Sequence, residues 1–315
     1  MEANRAPQEP SNGHESLPAA PDGEAEASRV LRLGVRAFEP HELVVMAIVN
    51  RTPDSFFDRG ATFAPDAALR AVEAAVRDGA EIIDIGGVKA GPGEEVSVAE
   101  ELHRTIPTIA AVRKSFPDVV ISIDTWRAEV AAEAIAAGAD LINDTWAGAD
   151  PQLAEVAART GAGLVCSHSG GLAPRTRPHR VAYADVVADV RATVTGLAQR
   201  AVRLGVRPDG ILIDPAHDFG KNTRHSLLLT RRLGELVATG WPVLVALSNK
   251  DFIGETLNLP VESRLTGTLA ATAISAWLGA RVFRAHQVRE TRQVLDMVAA
   301  IRGDREPAVA RRGLA

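Results

Sequence analysis

The 315-residue chain contains one cysteine, Cys166, and only 4% aromatic residues, with a single tyrosine among them. One thiol excludes a disulfide framework and any cysteine-based zinc site, and it suits a reducing compartment. Long apolar runs are missing too. The nearest, residues 267–280, is alanine-rich and shorter than the roughly 18 residues a membrane-spanning helix needs. The N-terminus is acidic and has no apolar core segment, so it does not read as a secretory signal. Together these absences predict a cytoplasmic protein with no membrane partner. An excess of basic charge is also lacking. The net charge of −5 is carried by residues 1–28, where six acids stand against Arg5, and residues 29–315 hold 34 basic and 34 acidic side chains. A balanced body offers no electrostatic footprint for nucleic acid.

Apolar residues make up 46% of the chain, enough for a sizeable core, but residues 1–28 are rich in Pro, Glu, Ala, Ser and Gly and predict a disordered acidic tail. From residue 41 short apolar runs alternate with segments of helical length. The strand candidates are 43–49, 81–85, 119–123, 140–142, 163–166, 210–213, 242–246 and 281–283. They are rich in Val, Ile and Leu and lack an amphipathic alternation, as strands buried on both faces should. Helical patterns fill 66–78, 97–116, 127–137, 150–160, 184–204, 225–238, 261–278 and 288–302. Ser97 and Glu100 form a capping-box signature, and Asp150 with Pro151 reads as an N-cap followed by a first-turn proline. Eight strand–helix units in one α/β chain predict a (β/α)8 TIM barrel over 29–302, a single domain followed by a flexible tail at 303–315. A doubly wound sheet is the competing fold, but the first strand is not followed by the glycine-rich turn it would carry.

In a barrel, chemistry sits at the C-terminal strand ends. Those ends place Asn50, Gly86-Gly87, Asp124, Asn143, His168, Asp214, Ser248 with Lys250, and Arg284 with His286 around one mouth. Carboxylates and an amide accept from a guanidine-like edge, Lys250 donates to a ring carbonyl or nitrogen, and Arg284 with His286 suits an anion. The set points to a flat heterocycle bearing several donors and acceptors. Plainer roles stand beside these: Asp124 as a helix cap, Asn143-Asp144 as a turn, Lys250 as a solvated lysine, and His286 as a packed loop histidine. Cys166 reads as a small buried residue with no base to activate it, and His217 as a loop hydrogen-bonder.

The chain resembles the dihydropteroate synthase family of pterin-binding barrels from about Val45 to Ile301. The resemblance rests on Ala47-Ile48-Val49-Asn50-Arg51-Thr52-Pro53-Asp54-Ser55-Phe56 with Asp58 and Gly60, Ile83-Asp84-Ile85-Gly86-Gly87, Ile121-Ser122-Ile123-Asp124-Thr125 and Ile142-Asn143-Asp144. It continues through Asp214-Pro215, Phe219-Gly220-Lys221, Ser248 with Lys250, and Arg284-x-His286. It implies a cytoplasmic transferase that joins dihydropterin pyrophosphate to p-aminobenzoate in folate biosynthesis. It further implies that Asp124, Asn143, Asp214 and Lys250 hold the pterin, that Asn50 is the Mg2+ ligand, and that Arg284 and His286 anchor pyrophosphate. Phe219 and Ser248 would line the side that takes p-aminobenzoate or its sulfonamide and sulfone analogues. Asp58 and Phe56 would ride a first loop that closes over the reaction, with Asp58 and Lys250 as the catalytic pair. A homodimer through late helices is implied as well, and the alanine-rich 261–278 segment with Trp277 is consistent with it.

The departures gather on the catalytic side. Where the family reads Gly-Glu-Ser-Thr-Arg-Pro-Gly, this chain has Gly87-Val88-Lys89-Ala90-Gly91-Pro92-Gly93. Asn249 stands for the arginine of Ser-Arg-Lys, Asp214-Pro215-Ala216-His217-Asp218-Phe219 for Asp-Pro-Gly-x-Gly-Phe, and Arg51 for a small apolar residue. One preorganised donor to a developing anion is worth about 3–4 kcal/mol, so these losses predict weak or absent synthase activity over a retained pterin pocket. Lys89 and Arg51 are the candidates for compensating charge. The pattern resembles a divergent second-copy branch found in high-GC actinobacteria. The alternatives are a working synthase with an altered loop, and a pterin-barrel methyltransferase, against which Ser248…Lys250 and the Thr52–Phe56 loop argue.

Overall fold

The computed structural model describes residues 30–52, 65–176 and 182–312. The acidic tail and the first loop with Phe56 and Asp58 lie outside them. Eight parallel strands form the centre: β3 (Val44–Asn50), β4 (Ile82–Gly86), β5 (Val120–Asp124), β6 (Leu141–Asp144), β7 (Gly163–Ser167), β8 (Ile211–Asp214), β9 (Leu244–Ala246) and β10 (Val282–Ala285). Their order is β8-β7-β6-β5-β4-β3-β10-β9, and a parallel bridge between Ile213 and Val243 joins the two ends, with the Ile213 amide donating to the Pro242 carbonyl at 3.0 Å. The TIM barrel therefore forms as expected, each strand within a residue or two of its candidate.

Around it run α1 (Pro65–Arg77), α2 (Val98–Ser115), α3 (Ala128–Ala136), α4 (Leu153–Thr160), α5 (Val186–Leu204), α6 (Thr223–Arg231), α7 (Gly234–Val237), α8 (Asp251–Leu257), α9 (Leu265–Trp277) and α10 (Val288–Arg302). No helix among the described residues is long and apolar enough to cross a membrane. Ser97 caps α2 by accepting from the Glu100 amide at 3.1 Å, but only half of the expected box forms, because the Glu100 carboxylate pairs with Arg104 instead. Asp150 works between two helices rather than as a simple cap of its own. One oxygen accepts from Gln152 N at 3.0 Å and the other from Ala128 N, the first residue of α3, at 2.8 Å. The helix expected over 225–238 breaks at Arg232-Leu233, before Gly234, a poor residue for a helix interior. The one expected over 261–278 begins as a single 3-10 turn before α9, and α8 occupies a stretch read as loop.

Two hydrophobic cores result. One lies between the barrel wall and the helices. The other fills the barrel with Val44, Met46, Ile82, Val120, Leu141, Val165, Leu212, Leu244 and Val282, joined by Leu31, Leu33 and Phe38. The last three come from a hairpin, β1 (Leu31–Leu33) and β2 (Arg36–Phe38), that the periodicity did not reveal, because three-residue strands are too short to show an alternation. Its turn needs Gly34, whose φ of 54° is left-handed and whose Cβ would collide with the Asp140 carboxylate. The hairpin thus closes the barrel end opposite the mouth. Replacing Phe38 by Ala should cost about 3–5 kcal/mol, read from urea unfolding, since the ring is fully buried and the surrounding strands cannot collapse onto the void.

Candidate active site

Side chains alternate along each strand, so the interior positions are two residues apart. Moving up from the apolar layer, Ile82 is followed by Asp84, Val120 by Ser122 and Asp124, Leu141 by Asn143, Leu212 by Asp214, and Val282 by Arg284 and His286. The interior thus changes from apolar to polar at one level of the barrel.

Asp84 is the centre of that polar level and was not singled out from sequence. It is fully buried, accepting from Ser122 Oγ at 2.6 Å on one oxygen, and from Asn143 Nδ2 at 3.1 Å and Arg284 Nε at 2.6 Å on the other. The signal available was a carboxylate inside an otherwise apolar strand, two residues beyond a core isoleucine. Arg284 reaches on to Asp124 at 2.8 Å, and Asp124 also accepts from Thr145 Oγ1 at 2.9 Å. Asp124 is therefore not the cap of the next helix. Burial pushes its carboxyl well above the usual carboxylate range, despite Arg284 beside it. Burial works against the Arg284 charge, and the two carboxylates outweigh it. The Asn143-Asp144 pair divides its roles: Asn143 serves the network, while Asp144 organises a turn by accepting from the Trp146 and Gly148 amides.

The mouth is a cleft of about 300 Å3 whose lining includes Asn50, Asp124, Phe219, Ser248, Lys250, Arg284 and His286. Asn143 and Asp214 are buried and do not line the open cleft themselves. Lys250 donates to the His217 carbonyl, and its ammonium sits 5.0 Å from the Phe219 ring centre. Burial lowers its pKa, with Asp218 and Asp214 pulling the other way. Asp214 accepts from the Ala216 amide at 2.7 Å, and burial raises its carboxyl against the pull of Lys250. Ser248 Oγ lies 3.0 Å from His286 Nδ1, and burial followed by the Arg284 charge pushes His286 down to about 3, so the imidazole is neutral. Lys221 had no assigned role. Its buried ammonium binds three carbonyls, of His168, Ala216 and Phe219, at 3.0, 3.1 and 2.7 Å, and thereby ties the loops after β7 and β8 together. Burial and the nearby Lys250 lower it to about 7.

Residues 46–286 match the model of the pterin binding enzyme family. The chain belongs to that family. It is 60% identical over 276 residues to the Mycobacterium leprae protein named inactive dihydropteroate synthase 2, covering 86% of this chain and 95% of that one. It is 39% identical over 252 residues to the Haemophilus influenzae dihydropteroate synthase, covering 80% and 91%. Among solved structures, the Yersinia pestis dihydropteroate synthase with a sulfonamide drug complex superposes with a TM-score of 0.82 at 36% identity, covering 87% of this chain and 99% of that one.

Set within the pterin-binding family, the altered positions have clear local consequences. Val88, Lys89, Ala90 and Gly91 line the cleft, so the missing hydroxyl and guanidinium are missing from the mouth itself. Asn249 is buried with its Nδ2 on Gln287 at 3.3 Å, turned away from the cleft. Arg51 is also buried, its Nε donating to the Arg104 carbonyl at 3.1 Å, so it brings no charge to the mouth. Asp218 lines the cleft, but its oxygens accept from Ser226 Oγ at 3.0 Å and from Phe252 N at 3.2 Å, tethering its loop to α6 and α8. Ala216 and Asp218 have φ of 50° and 70°, left-handed values that glycine adopts more readily. His217 is buried and bonds Thr230 at 3.1 Å rather than pairing with Asp218, and Cys166 is buried with its thiol pKa raised by burial. Replacing Asp84 by Ala should destabilise the fold by about 3–5 kcal/mol in chemical denaturation, because it leaves the Arg284 charge buried with one partner fewer.

Proposed function

We propose that this chain holds a pterin-class heterocycle at the polar level of its barrel and does not condense it with p-aminobenzoate. The observation that carries this reading is an intact donor–acceptor floor beneath a mouth that has lost its donors at Ala90, Gly91 and Asn249. Asp124 and Asp214 would accept from the amino and ring N–H edge, and Lys250 would donate to the ring carbonyl. Asn143 gives its NH2 to Asp84, which leaves its oxygen as the acceptor end. Phe219 makes an edge contact with Trp146, with ring centres 5.3 Å apart, and would flank the heterocycle or its partner ring. The name of the 60% identical Mycobacterium leprae relative supports the loss of condensation.

Mg2+ would find one oxygen ligand in Asn50. Among the described residues no cluster of three or more His, Cys, Asp or Glu side chains can hold a metal, so the remaining oxygens would have to come from substrate phosphates and water. When bound, the ion would neutralise charge on a departing diphosphate. Asp58, the other catalytic candidate, would act from the first loop. The late helices support a homodimer: Ile274 and Trp277 on α9 and Met297 and Ile301 on α10 are exposed apolar residues on neighbouring helices. Trp277→Glu should then shift the mass measured by light scattering from dimer to monomer.

With dihydropterin pyrophosphate, p-aminobenzoate and Mg2+, pyrophosphate release should be at least about ten-thousandfold slower than for the Haemophilus influenzae enzyme, since each missing donor is worth about 100- to 1,000-fold. Release within tenfold of that enzyme would overturn the reading. Because Asp124 accepts on both oxygens when ionised but turns one of them into a donor when protonated, and its pKa is raised, pterin affinity by calorimetry should strengthen as pH rises from about 5 to about 8, and Asp124→Asn should flatten that dependence.

A further inference from the structure

The formal charges of the described residues that line the cleft cancel, and so do those paired directly behind them. Lys89, Lys250 and Arg284 line it, and so do Asp124, Asp218 and Asp251. Behind these, Arg284 is also paired with Asp84 at 2.6 Å, and Asp251 with Arg264 at 2.8 Å. Deeper still, the buried Lys221 and Asp214 balance one another. The cations are also spent geometrically. The Arg284 guanidinium donates from Nε to Asp84 and from Nη2 to Asp124, and Lys250 is held by the His217 carbonyl. Arg175, in the loop after β7, donates to the Gly91 carbonyl at 3.4 Å and to the Glu94 carbonyl, so its guanidinium clips two loops together. His286 is neutral and bonded to Ser248.

A diphosphate ester brings several negative charges, and a lining of balanced formal charge adds little to the neutralisation that Mg2+ supplies, so most of their desolvation goes unrepaid. A neutral ring with the same hydrogen-bonding edge meets no such penalty. We infer that the cleft takes an uncharged, non-phosphorylated pterin-class alcohol in preference to its diphosphate ester. This rests on the pterin reading above and narrows it. It also gives a physical reason for absent condensation, since an alcohol at that position carries no diphosphate to leave. The place where a cation is missing is Gly91. A Cβ there would meet just the Lys89 Cε, at 3.7 Å, an ordinary contact, so a side chain can begin at this position without a clash.

The test is calorimetric titration of the full chain, in Mg2+ buffer, with 6-hydroxymethyl-7,8-dihydropterin and separately with its diphosphate. The alcohol should bind at least as tightly as the diphosphate. A diphosphate about tenfold tighter or more would overturn this inference while leaving the pterin reading intact, whereas no binding of either probe would overturn both. In a folded Gly91→Arg variant, verified by circular dichroism, one added charge-assisted contact should move the affinity ratio about tenfold toward the diphosphate. An unchanged ratio in that variant would count against charge balance as the cause.

Discussion

The Asp84 carboxylate, buried inside the barrel, takes hydrogen bonds from Ser122, Asn143 and Arg284 and so ties strands β4, β5, β6 and β10 together at one level. A buried charge is tolerable when its lone pairs are filled and a counter-charge is close, and here both conditions hold. Below that level the interior is apolar and closed by the β1–β2 hairpin. Above it the same Arg284 reaches Asp124 and defines the floor of the cleft. Each of the three residues bonded to Asp84 has part of its orientation set by it, so the floor is a rigid unit and not a ring of independent side chains.

That rigidity bears on electrostatics. An arginine at a barrel mouth looks like an anion site, yet this one is held between two carboxylates, with Nε on one and Nη2 on the other. The neighbouring histidine is neutral and the neighbouring lysine lies over an aromatic ring against a backbone carbonyl. What the floor offers is a pattern of donors and acceptors with little net charge, which is the complement of a polar, uncharged heterocycle. With Ala90 and Gly91 in its lining, the mouth carries neither a hydroxyl nor a guanidinium there to meet additional negative charge.

The altered loop after β8 is coherent as a structure. Two non-glycine residues in left-handed conformations cost about 1–2 kcal/mol each. The loop is held in place regardless, by Lys221 on three carbonyls and by the Asp218 carboxylate on Ser226 and the Phe252 amide. A carboxylate that reads in sequence as an obstacle to anionic ligands is, in space, also a tether between two helices.

Much of this was legible in one dimension. Eight apolar strands alternating with helices determine the barrel because buried parallel strands and amphipathic helices differ in period, and the barrel then dictates that residues just past the strands share a mouth. Asn50, Asp124, Phe219, Ser248, Lys250, Arg284 and His286 do share it, and the loss of hydroxyl and guanidinium at Ala90 and Gly91 is a fact of composition. The hairpin escaped because three-residue strands carry no period, and α8 because it lies where a loop was expected. Asp84 escaped because a carboxylate inside an apolar strand has no sequence neighbour to explain it; its partners are 38, 59 and 200 residues away. Which charges pair is likewise beyond a linear reading. The sequence by itself determined the fold, the family and the residue types at the mouth, because these follow from local periodicity and chain order. Only the tertiary structure decided that Arg284 faces inward to two carboxylates, that Arg51 and Asn249 turn away from the cleft, and that Asp218 is a tether, because each depends on distances between segments remote in the chain.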